Sequence, residues 1–167
     1  MKEVEQLIKK FGLTPHPEGG YFKETYRSQG EVSPESLPKE YQGSRNYATS
    51  IYFLLTSDTF SAFHKIKQDE IWHFYSGSPL AVHVIDLEGK YTKHIIGMDL
   101  DKGYLPQLTV PANCWFASSV VNKNDYSFVG CTVAPGFDFE DFELAKREDL
   151  IAEYPEHKTI ISALTRV

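Results

Sequence analysis

Between Tyr47 and Pro135 the chain is a succession of short β-rich runs separated by turn residues, and this pattern restricts the fold more than any other feature. Residues 48–55, 61–67, 70–76, 80–86, 91–96, 105–110, 114–121 and 126–134 are each rich in β-branched, aromatic or alternating apolar residues. Glu88-Gly89 joins two of them with a hairpin signal. Nothing helical intervenes, so a βαβ sheet is excluded and a sandwich or barrel is expected. At 167 residues the chain is long enough to bury a core without disulfides, and a single domain over 1–167 is expected. Cys114 and Cys131 lie in apolar runs at a spacing that fits neither a zinc motif nor CxxC, so they read as buried free thiols.

The ends differ from the middle. Val4, Leu7, Ile8 and Phe11 recur at helical spacing and Gly12 follows as a stop, which predicts an N-terminal helix. Pro15-His16-Pro17-Glu18-Gly19-Gly20 is a rigid, turn-rich segment before a strand over 21–27, and residues 29–46 read as a surface loop. Residues 146–153 and 158–164, divided by Pro155, predict two C-terminal helical segments packed outside the barrel or on a partner.

Seventeen Lys and Arg face 23 Asp and Glu, giving a formal charge of −6 with no basic cluster. Nucleic acid and anionic membranes reward clustered cations, so neither is expected as a partner. Met1-Lys2-Glu3-Val4-Glu5-Gln6 has no apolar signal-peptide core, and no apolar run approaches the roughly 20 residues that span a bilayer. The expected location is the cytoplasm.

The chemistry-bearing segment is Phe63-His64-Lys65-Ile66-Lys67-Gln68-Asp69-Glu70-Ile71-Trp72-His73-Phe74-Tyr75-Ser76-Gly77. It resembles the first cupin motif, in which one strand carries His-x-His and the next carries Glu and ends at Gly. His64, Glu70 and Gly77 occupy those places, but Ile66 replaces the second histidine. Pro111-Ala112-Asn113-Cys114-Trp115-Phe116 resembles the second motif, with Asn113 at the glycine place and Phe116 at the histidine place. Asn tolerates the left-handed backbone that such a place demands. Two of the four usual metal ligands are therefore absent. Further strings, among them Pro17-Glu18-Gly19-Gly20-Tyr21-Phe22, Ser50-Ile51-Tyr52-Phe53-Leu54-Leu55 and Val129-Gly130-Cys131-Thr132-Val133-Ala134-Pro135-Gly136-Phe137, extend the likeness to an uncharacterised cupin family over nearly the whole chain. That resemblance implies an all-β, double-stranded β-helix jelly roll with an N-terminal helix and C-terminal helical segments. It also points to relatives resembling dTDP-sugar epimerases in architecture and to a homodimer.

Strand alternation turns Glu70, Trp72 and Phe74 to one face and Ile71, His73 and Tyr75 to the other, with His64 and Ile66 sharing a face on the preceding strand. His64, Ile66, Glu70 and Trp72 are thus expected around one cavity, unless a bulge near Asp69 or His73 intervenes. Three readings of His64 and Glu70 stand. They are partial ligands of a divalent metal, a metal-free acid–base pair, or a hydrogen-bonded pair in a cavity that binds without chemistry. The leading expectation is metal-free. The resemblance to cupin epimerases that pair a His base with a Tyr acid implies an isomerase- or epimerase-like enzyme on a small carbonyl compound such as a carbohydrate derivative. His64 is then the base, Glu70 its orienting carboxylate, and Tyr52 or Tyr75 the acid. No cofactor is expected on this reading; a divalent metal on His64 and Glu70 is the alternative. A small-molecule ligand in the barrel is the expected partner. Trp72 and Trp115 are candidate walls for a ring. Glu18 is a candidate for the cavity mouth, Gln107 for orienting a ligand, and Arg27 and Arg45 for a carboxylate or phosphate. His16, His94 and His157 read as unremarkable.

Overall fold

Alternating inward and outward side chains sort the strands into two facing antiparallel sheets in the computed structural model of the chain, which describes residues 2–166. The chain runs through α1 (Lys2–Phe11), β1 (Thr14–Pro15), β2 (Tyr21–Arg27), β3 (Glu31–Val32), β4 (Arg45–Asn46), β5 (Thr49–Thr56), β6 (Phe60–Lys65) and β7 (Asp69–Gly77). It continues through β8 (Leu80–Ile85), β9 (Tyr91–Ile96), β10 (Gln107–Val110), β11 (Trp115–Val120), β12 (Tyr126–Ala134), β13 (Glu143–Leu144), α2 (Arg147–Glu153) and α3 (Lys158–Ala163). The larger sheet has the order β1-β2-β5-β12-β7-β10 and the smaller β13-β6-β11-β8-β9, with β3 and β4 forming a small ribbon within the loop expected over 29–46. This is the expected jelly roll with helical ends.

Side-chain parity explains the layers. Phe53 and Leu55 of β5, Trp72 of β7, Val82 and Val84 of β8, Phe116 of β11, and Val129, Cys131 and Val133 of β12 meet between the sheets in one buried cluster. Each large apolar side chain removed from water there contributes about 1.5–3 kcal/mol. The opposite parity faces outward. Leu54, Tyr126 and Phe128 receive the apolar stripe of α1, including Val4, Leu7, Ile8 and Phe11. On the other side Phe63, Ile85, Trp115 and Ala117 are covered by Leu150 of α2 and Ile161 of α3. Gly12, at φ 63°, ends α1 as its place demands, and Asn113 takes the left-handed backbone at φ 62°. Both cysteines are buried and free.

Two bulges place functional side chains. One lies on β2 between Glu24 and Tyr26, so Glu24 pairs with Ile51 and Arg27 with Thr49. Ile51 and Thr49 both face the interior, and Glu24 and Arg27, three residues apart, therefore both do as well. The other lies at Tyr75, where Ser76 pairs with Phe128 and Phe74 with Val129. It falls beyond Glu70, so the inward face of β7 survives over 70–74.

Candidate functional site

At one end of the sandwich the core opens into a cavity of about 240 Å³. Its polar wall comes from β6, β7 and the loop after β1; its apolar wall comes from Phe22, Ile51, Phe53, Val133 and the segment after β12, with Phe137, Phe139 and Phe142. His64 and Glu70 both line it and both are buried.

The direct partner of His64 is not Glu70. Its Nε2 lies 2.9 Å from Glu18 Oε2, and its Nδ1 lies 2.7 Å from the Ala62 carbonyl oxygen. A carbonyl only accepts, so Nδ1 carries a proton. An ionised Glu18 likewise only accepts, so Nε2 carries one too, and the pair is imidazolium with carboxylate. Burial alone pushes the imidazole down, but the charge and hydrogen bond of Glu18, the charge of Glu70 and the Ala62 carbonyl outweigh it and raise its pKa. Burial pushes Glu18 up, and the charge and hydrogen bond of His64 outweigh that and lower it. Ser61 Oγ donates to Glu18 Oε1 at 2.8 Å, fixing the second oxygen.

The rigid segment before β2 exists to hold that carboxylate. The Ala62 amide donates to the Glu18 carbonyl at 2.8 Å, and Arg166 Nη2 donates to the same carbonyl at 3.2 Å. Gly19 follows at φ 116°, where a Cβ would overlap the Phe60 carbonyl and the Arg166 guanidinium. The Glu18 amide donates to His16 Nδ1 at 3.3 Å, so His16 is a neutral imidazole whose remaining donor is Nε2–H. Burial, above all, holds its pKa below the usual value.

Glu70 is in a different state. Burial raises its pKa to about 7; the charge of His64 and a hydrogen bond from the Cys131 thiol oppose this, and the charge of Glu18 adds to it. No nitrogen or hydroxyl donor grips its carboxyl group; its neighbour is the Cys131 thiol, which burial and Glu70 together push far up. Glu70 is therefore a carboxyl group whose pKa lies near neutrality.

Arg27 lines the cavity, as expected, but its fork is engaged. Nε and Nη2 bond both oxygens of Glu24 at 3.0 and 2.8 Å, Nη1 bonds Asn46 Oδ1 at 2.8 Å, and Nη2 also reaches the Phe137 carbonyl at 3.1 Å. Arg45 is not a ligand-facing group: it is buried against Asp141, with Nε and Nη2 at 2.7 and 2.8 Å from its two oxygens.

Five expected site residues lie elsewhere. Tyr52 and Tyr75 sit on the outer face of the larger sheet, their rings 6.0 Å apart beside Phe128, and Tyr52 packs on Phe11 of α1. Parity sends residue 52 outward between inward Ile51 and Phe53, and Tyr75 needs the missing Cβ of Gly130 for its ring. Trp72 does point inward, but as core, edge-on to Phe53 and Phe116 and away from the cavity lining. Trp115 faces outward under the C-terminal helices, with the Lys65 ammonium 4.4 Å over its ring. Gln107 is exposed on the outer face, where its Nε2 donates to His73 Nδ1 at 3.1 Å. Conversely, His16, Glu24, Cys131 and the phenylalanines at 137, 139 and 142 line the cavity without having been expected there. The signal for Cys131 was present: it shares the parity of Val129 and Val133.

The donor set does not fit a divalent cation. Both nitrogens of His64 are committed to Glu18 and Ala62, and Ile66 and Phe116 stand where two further donors belong, with the Phe116 ring 4.1 Å from the imidazole. Among the described residues no group of three His, Cys, Asp or Glu is arranged to hold a metal.

Residues 5–145 match the model of a protein family described as Cupin superfamily (DUF985). The solved structure of protein SO0799 from Shewanella oneidensis is 40% identical, with a TM-score of 0.87 over 97% of this chain and 96% of that one. A hypothetical protein from Leishmania major is 36% identical, with a TM-score of 0.87 over 98% of each chain. An uncharacterised yeast protein, YML079W of Saccharomyces cerevisiae, is 33% identical over 155 residues, 87% of this chain and 77% of that protein. Oxalate decarboxylase from Bacillus subtilis, at 16% identity and a TM-score of 0.54 over 36% of its length, shares the fold.

Proposed function

The chain belongs to the DUF985 family of the cupin superfamily, and from that premise we propose that it is an isomerase-like enzyme that shifts a proton between adjacent carbons of a small hydroxy-carbonyl compound, a carbohydrate derivative being the best fit. The observation that carries this is Glu70, a buried carboxyl group with a pKa of about 7 lining the cavity. In its ionised form Glu70 takes the proton from the carbon beside the carbonyl. The electron pair moves onto the carbonyl oxygen, and the fixed positive charge of His64 stabilises the developing enolate. The neutral His16 Nε2–H gives its proton to this oxygen. Glu70, now an acid, returns its proton to the former carbonyl carbon, while the hydroxyl on the neighbouring carbon gives its proton back to His16 and becomes the new carbonyl, restoring both groups. One base serves both steps, which favours an isomerisation over an epimerisation that would need a second proton donor on the opposite face. Glu18 holds His64 charged and does not titrate in the cycle.

A cavity of about 240 Å³ favours a monosaccharide-sized compound over a nucleotide, since sites for larger ligands run from about 300 to 1,000 Å³. The test is NMR of a set of small aldoses, ketoses and hydroxyketones incubated with the protein in D2O. Deuterium entering beside the carbonyl, lost in Glu70→Gln, is expected. Saturable binding of these compounds without exchange would make the protein a binding module and overturn the proposal.

We also propose a homodimer. The four residues of β10, and β9 up to the point where Leu105 bridges Ile96, form open sheet margins, whose unpaired backbone groups favour pairing with a second copy. Light scattering is expected to give twice the 19.0 kDa of the chain; a single 19.0 kDa species would refute this.

A further inference from the structure

The mouth of the cavity is an aromatic corner. Phe137, Phe139 and Phe142 all line it, and their rings are close to mutually perpendicular: 81° between the first two, 73° between the first and third, 75° between the last two. Their centroids are 5.0, 6.4 and 5.9 Å apart. The three rings pack edge to face and line one corner of the cavity, with Phe142 also lying 5.3 Å from the His64 ring at 33°. The His16 ring lies 29° from parallel to Phe139, 6.0 Å away, and adds a fourth surface.

The charges around the cavity point the same way. Two of its groups are positive, and most of their donors are spent on the protein. Arg27 gives four of its five N–H groups to Glu24, Asn46 and the Phe137 carbonyl, and His64 gives both of its own to Glu18 and the Ala62 carbonyl. An anionic ligand would find one free N–H, on Arg27 Nη1, and otherwise only the field of His64. Two carboxyl groups on the lining, Asp138 and Glu70, form no salt bridge among the described residues, although the charge of Asp138 acts on Arg27 and Arg45 and that of Glu70 on His64. Asp138 spends one oxygen on the Glu140 amide, at 2.9 Å. Glu70 is 8% exposed and ungripped by any N–H or O–H.

We propose that the compound taken by this cavity carries a compact ammonium group, primary or methylated, seated in the corner of Phe137, Phe139 and Phe142. With the reaction proposed above, on which this rests for the other half of the ligand, the substrate class becomes amino-bearing hydroxy-carbonyl compounds. Attraction of a cation to aromatic faces favours it over a neutral group of equal shape by about two- to thirtyfold.

The test is a saturation-transfer NMR titration with choline and ethanolamine, each against a neutral isostere, 3,3-dimethylbutan-1-ol for choline. At least one cation is expected to bind, several-fold more tightly than its isostere. Phe139→Leu keeps the apolar bulk and removes one π face; Phe139 is 51% exposed, so the fold survives it. Asp138→Asn keeps the oxygen that accepts from Glu140 and removes a charge. Each is expected to weaken the cation and leave the isostere unchanged, at unaltered thermal unfolding temperature. Equal affinity for cation and isostere, no saturable binding of either cation, or variants that weaken both ligands alike would overturn the proposal. Cation binding without proton exchange on any carbonyl compound would instead refute the reaction and leave the ammonium site standing.

Discussion

Glu70 is held at a cost, and the sign of that cost is measurable. Its pKa rises from 4.5 to about 7 on folding, so the folded protein binds this proton more tightly than the unfolded chain does. Below the unfolded value both states are protonated and nothing is lost. As pH rises from about 4.5 to about 7 the native state is progressively penalised, and above that the penalty is constant. The shift corresponds to about 3 kcal/mol. Glu70→Gln keeps the shape and removes the charge. It is therefore expected to match wild type in acid and to exceed its stability by up to about 3 kcal/mol at alkaline pH, in urea unfolding followed across pH. A variant that is less stable than wild type on the alkaline side would show that the carboxylate is gripped in the native state, and its role as the exchanging group would fall. Such a trade of stability for a tuned acid is expected of a working site and not of a structural one.

At the scale of a strand, period-two alternation made much of this site legible. It placed Glu70 inward from the sequence, and the bulge on β7 falls late enough, at Tyr75, to leave that reading intact. The same alternation turns Tyr75 outward, so motif-based expectation and strand geometry conflicted there, and geometry prevailed. Tyr52 fails for the same reason, between Ile51 and Phe53. Arg27 illustrates the reverse: strict alternation from Glu24 sends it outward, and an unpredictable one-residue bulge brings it back. Asn113 was legible because only a few residue types accept its backbone angle. The expected result follows from placement: Tyr52→Phe and Tyr75→Phe each leave deuterium exchange by the protein unchanged, measured in the same NMR assay that registers loss in Glu70→Gln. A tenfold loss in either would require about 1.4 kcal/mol from a hydroxyl on the far side of the sheet, and would reopen the tyrosine as the acid.

Across the whole molecule the site is assembled from distant parts of the chain, and no local pattern announces such contacts. Glu18 comes from the segment before β2, and the phenylalanine corner from the strap after β12. That strap is anchored by Asp141, whose carboxylate is fully buried and takes Arg45 at 2.7 and 2.8 Å, Gln68 Nε2 at 2.7 Å and Lys67 Nζ at 3.3 Å. Arg45 is 96 residues away in sequence, which is why its fork read as free for a ligand. Burial pushes Asp141 up, but the hydrogen bonds of Arg45, Gln68 and Lys67 overcome it and hold its pKa below 3.8. Its contribution to stability is therefore complete above that value and is lost as pH falls through the lower, folded one. Asp141→Asn strands the buried Arg45 charge, and a loss of about 3–5 kcal/mol at neutral pH is expected from denaturant unfolding, shrinking towards zero in strong acid. A double change, Arg45→Met with Asp141→Leu, removes both charges and is expected to recover most of that loss, because a buried ion pair is worth little more than apolar groups of similar volume. If Asp141→Asn costs less than about 1 kcal/mol, the strap is held by its other contacts, among them the Phe137 backbone bonds to Arg27 and Thr49 and the pairing of β13 with β6. The closure of the cavity would then depend on those contacts and not on this ion pair.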